Sequence, residues 1–201
     1  LFRSEVIIMD TVSYSINHNV NYYMRNAYRG NTNAITDDYR GSQPKAKIIS
    51  ADARAVKRMA EKLNSLEYDS DHGPEVLQNA KAFVKTYNNL IESTEDNQDS
   101  RLTSLKKKMT KMIKNNKDDL ASIGIELKGN GSLTLDEDKF GEARPAKIEE
   151  ILSSKGNISV SLRSIANKIF RQSGKMAVYT SSAEKTAQDA EQSGKTVDLS
   201  L

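Results

Sequence analysis

Apolar residues recur along most of this chain at the spacing of one helix face. Val56, Met59, Leu63 and Leu66 form one stripe, and Val76, Ala80, Phe83, Tyr87 and Leu90 form a second. Leu102, Leu105, Met109, Met112 and Ile113 form a third, which Leu120 and Ile123 extend, and Ile158, Leu162, Ile165 and Ile169 form a fourth. Alternating steps of three and four keep side chains on one side of a 3.6-residue turn, so the pattern predicts amphipathic helices packed face to face.

Capping and turn residues set the expected boundaries. Ser50 is a suitable cap with Asp52 in the first turn of a helix that stops before Asp69-Ser70-Asp71-His72-Gly73, and Pro74 opens the next. Two stripes joined by so short a turn should face each other as an antiparallel hairpin. Asp99 or Ser100 caps the third helix. Ile125 and Leu127 alternate with polar neighbours, as do Leu133 and Leu135, and Lys128-Gly129-Asn130-Gly131-Ser132 between them permits a reversal, which predicts a β-hairpin. Asp136 then caps a short helix through Phe140, and Pro145 restarts one carrying Ile148, Ile151 and Leu152 that Gly156 stops.

The ends carry a weaker pattern. In residues 10–30, Val12, Tyr14 and Ile16 alternate like a strand, while Ile16, Val20, Tyr23 and Ala27 share a helix face; helix is the favoured reading, ended near Gly30. Residues 30–49, with Gly30, Asn31, Asn33, Asp37, Asp38, Gly41, Ser42 and Pro44, read as a connecting segment. Beyond Gly174 only Ala183, Ala187 and Ala190 hint at a stripe. The expected fold is therefore mainly α, an elongated set of antiparallel helical hairpins or a bundle with one small β-hairpin at about 124–135. It divides into an N-terminal helix and loop (1–49), a helical core domain (50–172) and a polar tail (173–201), weakly helical or disordered until a partner orders it.

Composition narrows the chemistry. The chain has 201 residues, 37% of them hydrophobic, with no Trp and four Phe, and the mean hydropathy is -0.65, so aliphatic side chains and Met must fill the core. Lys and Arg number 30 against 27 Asp and Glu, a formal net charge of +3 and a mixed-charge surface, unlike a dedicated nucleic-acid binder. The absence of Cys excludes disulfides, thiolate catalysis and Cys-based zinc sites. Val6 to Met9 is too short an apolar run to span a bilayer or to form a signal-peptide core. The numbering begins at Leu1, so either an upstream piece is missing or Met9 is the natural start.

Candidate chemistry is sparse. The histidines are His18 and His72, and Asp69-Ser70-Asp71-His72 offers two carboxylates and an imidazole to a metal or an acid–base site. The same residues make an ordinary helix-to-helix turn, which is the favoured reading. Glu126 to Glu137 places Gly131 and Glu137 as a calcium loop would, but sets Lys128 at a ligand position, where a fixed cation repels the ion. Arg101, Lys106, Lys107, Lys108, Lys111, Lys114 and Lys117 form a basic run without an acid between them, yet a core stripe threads it and no aromatic residues interleave. Glu149 beside Glu150 and Asp118 beside Asp119 diverge as sequence neighbours on a helix, and no phosphate-loop, dinucleotide, nucleophile-elbow or zinc-protease motif occurs. No enzymatic activity, cofactor or metal is expected.

Two segments resemble the bacterial flagellar filament-cap family, hook-associated protein two. Phe83-Val84-Lys85-Thr86-Tyr87-Asn88-Asn89-Leu90-Ile91 is similar to a helix of that family. Leu120-Ala121-Ser122-Ile123-Gly124-Ile125, followed by Gly131-Ser132-Leu133-Thr134-Leu135-Asp136-Glu137-Asp138-Lys139-Phe140, is similar to its hairpin-and-cap signature, and Pro145 to Leu152 sits where the family has a short helix. The likeness covers roughly residues 75–170 of the family's carboxy-terminal part, and Ile16-Asn17-His18-Asn19-Val20 looks like the start of a flagellin amino-terminal helix. The family's variable outer domains and terminal heptad helices are not evident.

The resemblance implies a structural assembly protein that self-associates or binds flagellin-type filament subunits. It also implies the flagellum, or secretion without a signal peptide, as the setting, with the cytoplasm as the alternative. Phe83, Tyr87, Leu90, Ile165 and Ile169 are the candidate packing or partner face. The alternative function is a module that binds nucleic acid or an acidic surface through Lys106 to Lys117.

Overall fold

The computed structural model describes residues 19–194, with side chains to Ala177. Expectations resting on Val6 to Met9, Val12, Tyr14, Ile16, His18, the side chains of Ala183, Ala187 and Ala190, and residues 195–201 lie outside the described residues. The chain is mainly helical with one two-stranded antiparallel β-hairpin, and its helices pack against one another.

Helix α1 (Val20–Ala27) begins at Asn19, whose carboxamide oxygen accepts from the N–H groups of Asn21 and Tyr22, and the chain turns beyond it at Gly30, with φ at 92°. Residues 30–49 differ from the expected connecting segment: they form a 3-10 turn (Thr32–Ile35), helix α2 (Asp37–Ser42) and the start of helix α3 (Lys45–Asn64). Ser50 therefore caps nothing. Pro44 precedes the first turn, and buried Ala46, Ile48 and Ile49 carry the apolar stripe back toward it. Asp52, expected in the first turn, lies in the third turn of α3 and is wholly enclosed.

Helix α4 (Gly73–Ser93) opens with Pro74 and buries every member of its expected stripe: Val76, Ala80, Phe83, Tyr87 and Leu90. It runs antiparallel to α3. Lys62 near the end of α3 pairs with Glu75 near the start of α4 at 3.0 Å, while Arg40, clamped on Asp52 in the first half of α3, donates to the Asn89 carbonyl near the end of α4 at 3.4 Å. Helix α5 (Ser100–Asn115) is capped by Asp99, which accepts from the N–H groups of Arg101 and Leu102. Helix α6 (Lys117–Ser122) leads to β1 (Ile125–Leu127), which pairs with β2 (Leu133–Leu135) in the register Ile125↔Leu135, Glu126↔Thr134 and Leu127↔Leu133. Helix α7 (Glu137–Glu142), capped by Asp136, and helix α8 (Pro145–Leu152) follow as the capping pattern predicts.

Helix α9 (Asn157–Gly194) runs on past Gly174 into the segment expected to be weakly helical or disordered. A nucleated helix gains one hydrogen bond for each residue added, and the Ala, Lys, Glu and Gln of this stretch favour that growth, so a lone glycine does not stop it. Its first half packs on α3 and α5 through buried Ile158, Leu162, Ala166 and Ile169. These residues, the α4 stripe and Tyr23, Met24, Ala27 and Tyr28 from the first segment belong to one hydrophobic core.

A buried ion pair holds the first segment to that core. Arg40 grips both Asp52 oxygens at 2.8 and 3.0 Å and donates to the Ala34 carbonyl at 3.1 Å. The Tyr28 hydroxyl donates to Asp52 at 2.7 Å and accepts from the Asn89 carboxamide at 2.9 Å. Burial works to lower the Arg40 pKa, but the hydrogen bonds and charge of Asp52 outweigh it and hold the guanidinium above its ordinary value. Burial and the same carboxylate push the Tyr28 hydroxyl well up, so it stays a donor.

Replacing Asp52 with Asn strands a buried guanidinium and should destabilise the fold by about 3–5 kcal/mol in denaturant unfolding; pairing Asp52→Leu with Arg40→Met should recover part of that loss. A second test lies at Gly124, where φ is 78° and an added Cβ would lie 2.7 Å from the Asp136 carbonyl. Gly124→Ala should lose about 1–3 kcal/mol by the same measurement, whereas Gly141→Ala, which meets open space within α7, should lose nothing.

Candidate functional site

The expected packing or partner face lies mostly inside the molecule. Phe83, Tyr87, Leu90 and Ile169 are fully enclosed, and Ile165 is half-buried against the same core. The Phe83 and Tyr87 rings lie 6.4 Å apart, and the Tyr87 hydroxyl donates to the Gly131 carbonyl at 3.1 Å. Asn88 beside it receives the Leu133 N–H at 2.8 Å and returns a bond to the Leu133 carbonyl at 2.8 Å, completing the edge of β2. The segment Phe83 to Leu90 thus holds core and hairpin together, and what remains for partners is the outer surface.

The basic run lies on that surface. Lys107, Lys108, Lys111, Lys114 and Lys117 are exposed and Lys106 is half-buried, while Leu102, Met109 and Ile113 face the core. Asp99 ties the start of α5 to α9: one carboxylate oxygen caps the helix and the other accepts from Gln172 at 2.9 Å. The segment Glu126 to Glu137, set aside as a calcium loop because of Lys128, contains a two-stranded turn in which Glu126 faces Lys128 at 3.3 Å and Lys139 at 3.5 Å. The hydrogen bond and charge of Lys128, with the charge of Lys139, hold this carboxyl below its usual range.

At the α3–α4 turn the structure brings together Asp69 and His72, as the sequence suggests, but adds Glu67 in place of Asp71. The three offer ligand atoms within 4.8 Å of one another. Asp69 Oδ1 accepts from the backbone N–H of Asp71 at 3.0 Å and of His72 at 2.9 Å, and lies 2.7 Å from His72 Nδ1, with Glu67 at 3.3 Å from Nε2. The group is open to solvent. Its turn chemistry is evident: each Asp69 bond closes the reversal into α4.

Beside this turn, a cleft of about 760 Å³ opens among α1, α3 and α4, lined by Tyr23, Arg58, Lys62, His72 and Glu75. The fully buried Asn79 also lines it. Its amide donates to the Glu75 carbonyl at 2.9 Å, whereas its oxygen has no hydrogen-bond partner among the described residues. Sequence periodicity missed this cleft, because its walls come from three separate segments and Asn79 falls between stripe positions.

The hydrogen bond to Asp69, with the charges of Asp69, Glu67 and Glu75, raises the His72 pKa above the ordinary histidine value despite opposing desolvation. A raised folded-state pKa means that the pair stabilises the fold below the unfolded pKa and loses this contribution as pH rises through the folded one. An NMR titration should therefore find the His72 midpoint above that of a free histidine, and Asp69→Asn should move it down. No protein-family model, curated protein or solved structure matches this chain.

Proposed function

We propose that this chain is a non-catalytic assembly protein that works through helix packing, with a body like the inner domain of the flagellar filament cap. The observation that carries the reading is the length of α9. Among the residues whose side chains are described, Ser173 is the last fully buried position of α9 and Met176 is partly buried beyond it, and the helical backbone continues to Gly194, about 30 Å past Ser173 at 1.5 Å per residue. A helix of that length is marginal in water without a packing partner, so this segment suits an element that meets other subunits. Its sequence keeps the step of the buried half through Met176, Ala183, Ala187 and Ala190.

The element order supports the likeness to the cap family. The α4 helix carrying Phe83 and Tyr87, the Gly124 turn, the β-hairpin, the Asp136 cap and the α8 helix follow one another as the family signature requires. Flagellin-type subunits or further copies of this chain are the partners that follow, as does export without a signal peptide. Among the described residues no helix is long and apolar enough to cross a membrane. The exposed lysines of α5 favour a second reading, an acidic surface or nucleic acid as partner.

Light scattering across a concentration series should show self-association or, with a flagellin-type subunit present, a mixed complex. Gly174→Pro breaks α9 directly after Ser173, its last fully buried described position, and should abolish association while the body stays folded; Gly174→Ala should strengthen the helix by about 1 kcal/mol and association with it. A monomer indifferent to both substitutions and to filament subunits refutes the proposal. Nucleic-acid binding that falls steeply with salt would instead assign the function to the α5 lysines.

A further inference from the structure

A second cleft, of about 380 Å³, lies between one face of α3 and the turn that follows α1. Lys47, Ser50, Arg54 and Arg58 reach it from successive turns of α3, and Arg29 and Asn31 from the opposing turn. Among the described residues no carboxylate lines it. Arg29, Arg54 and Arg58 have no salt-bridge partner among the described residues, although the chain as a whole carries 27 acids to 30 bases. The local imbalance is a matter of placement.

Two of the arginines are held in position. Arg58 donates to the carbonyls of Ala27 and Arg29 at 2.8 Å each, so it is fastened to the end of α1 and the turn itself. The Arg54 guanidinium lies over the Phe170 ring of α9 at 4.2 Å, a cation–π contact that uses the charge without consuming a hydrogen-bond acceptor. Desolvation and the charges of Arg29 and Arg54 lower the Arg58 pKa, against a smaller opposing pull from Glu61. Like charges gathered in this way repel one another, and a bound anion would relieve that repulsion.

We propose that this cleft binds a phosphate monoester, its phosphate group held by Arg29, Arg54 and Arg58. Guanidinium N–H groups match phosphate oxygens in geometry, and a dianion offsets three converging cations better than a carboxylate does. The cleft exceeds the size of a bare phosphate, and the partly exposed Tyr39, with the Lys47 ammonium 5.7 Å from its ring centroid, lines the wall along which an organic body would lie. Free phosphate presents the same headgroup, so the two sources are separated by comparing ligands.

Calorimetric titration of the full chain with inorganic phosphate, phenyl phosphate and acetate, at matched ionic strength, tests the site. Both phosphates should saturate one site and bind about tenfold or more tighter than acetate. Tighter binding of phenyl phosphate identifies an organic monoester as the ligand, whereas equal binding identifies the phosphate group alone and overturns the monoester. Arg29→Gln, at an exposed turn position, and the double variant with Arg54→Gln should each weaken phosphate binding, the double by about tenfold or more, while Lys107→Gln with Lys108→Gln on α5 should not. Phosphate that fails to saturate, or that binds both arginine variants as it binds the unaltered chain, overturns the proposal.

Discussion

The pairing of Arg40 with Asp52 is the constraint around which the first half of this fold is organised. Enclosing a carboxylate in a protein interior is strongly unfavourable unless its charge is matched and its lone pairs are engaged. Asp52 meets both conditions only if three separate segments converge: the guanidinium comes from α2, the Tyr28 hydroxyl from the end of α1, and Asn89 of α4 holds that tyrosine from the far side. Arg40 in turn requires the Ala34 and Asn89 carbonyls to be in place. An apolar contact tolerates sliding, whereas this arrangement tolerates very little, so the pair contributes position more than net stability.

Once α1 and α2 are seated, the long helices have defined neighbours. α3 serves as the common support, with α4 returning along one side and the first half of α9 along another. Tyr87 and Asn88 then fasten the hairpin to α4, and Asp99 fastens α5 to α9 through Gln172. The apolar stripes are used up inside this body.

Arginines on α3 and its neighbours meet opposite fates. Arg40 is enclosed and neutralised, and the energetic value of its charge lies in a single geometry. Arg54 and Arg58, a few turns along α3, are oriented by a ring and by two carbonyls but keep their charge uncompensated beside Arg29. The same side chain thus acts as a structural clamp where a carboxylate reaches it and as a source of positive potential where none does.

Much of the helical body was legible in the linear pattern. The stripe from Val76 to Leu90, the Asp99 and Asp136 caps, the Pro74 and Pro145 starts and the hairpin around Gly131 all depend on spacing and local backbone chemistry, which neighbouring residues decide among themselves. Residues 30–49 misled, because their turn-forming side chains reflect local preference, while burial of Ile48, Ile49 and Asp52 comes from contacts with distant segments. The acid–imidazole group was half legible: Asp69 and His72 are close in sequence, but choosing Glu67 over Asp71 depends on how the turn folds. The sequence by itself determined where α4, α5, α7 and α8 begin and which face the long helices hide, since those follow from caps and periodicity. Only the tertiary structure decided the partners of Asp52, the gathering of Arg29 with Arg54 and Arg58, and the interior place of Phe83, Tyr87 and Leu90, because charge and burial at each depend on what the rest of the chain brings within a few ångströms.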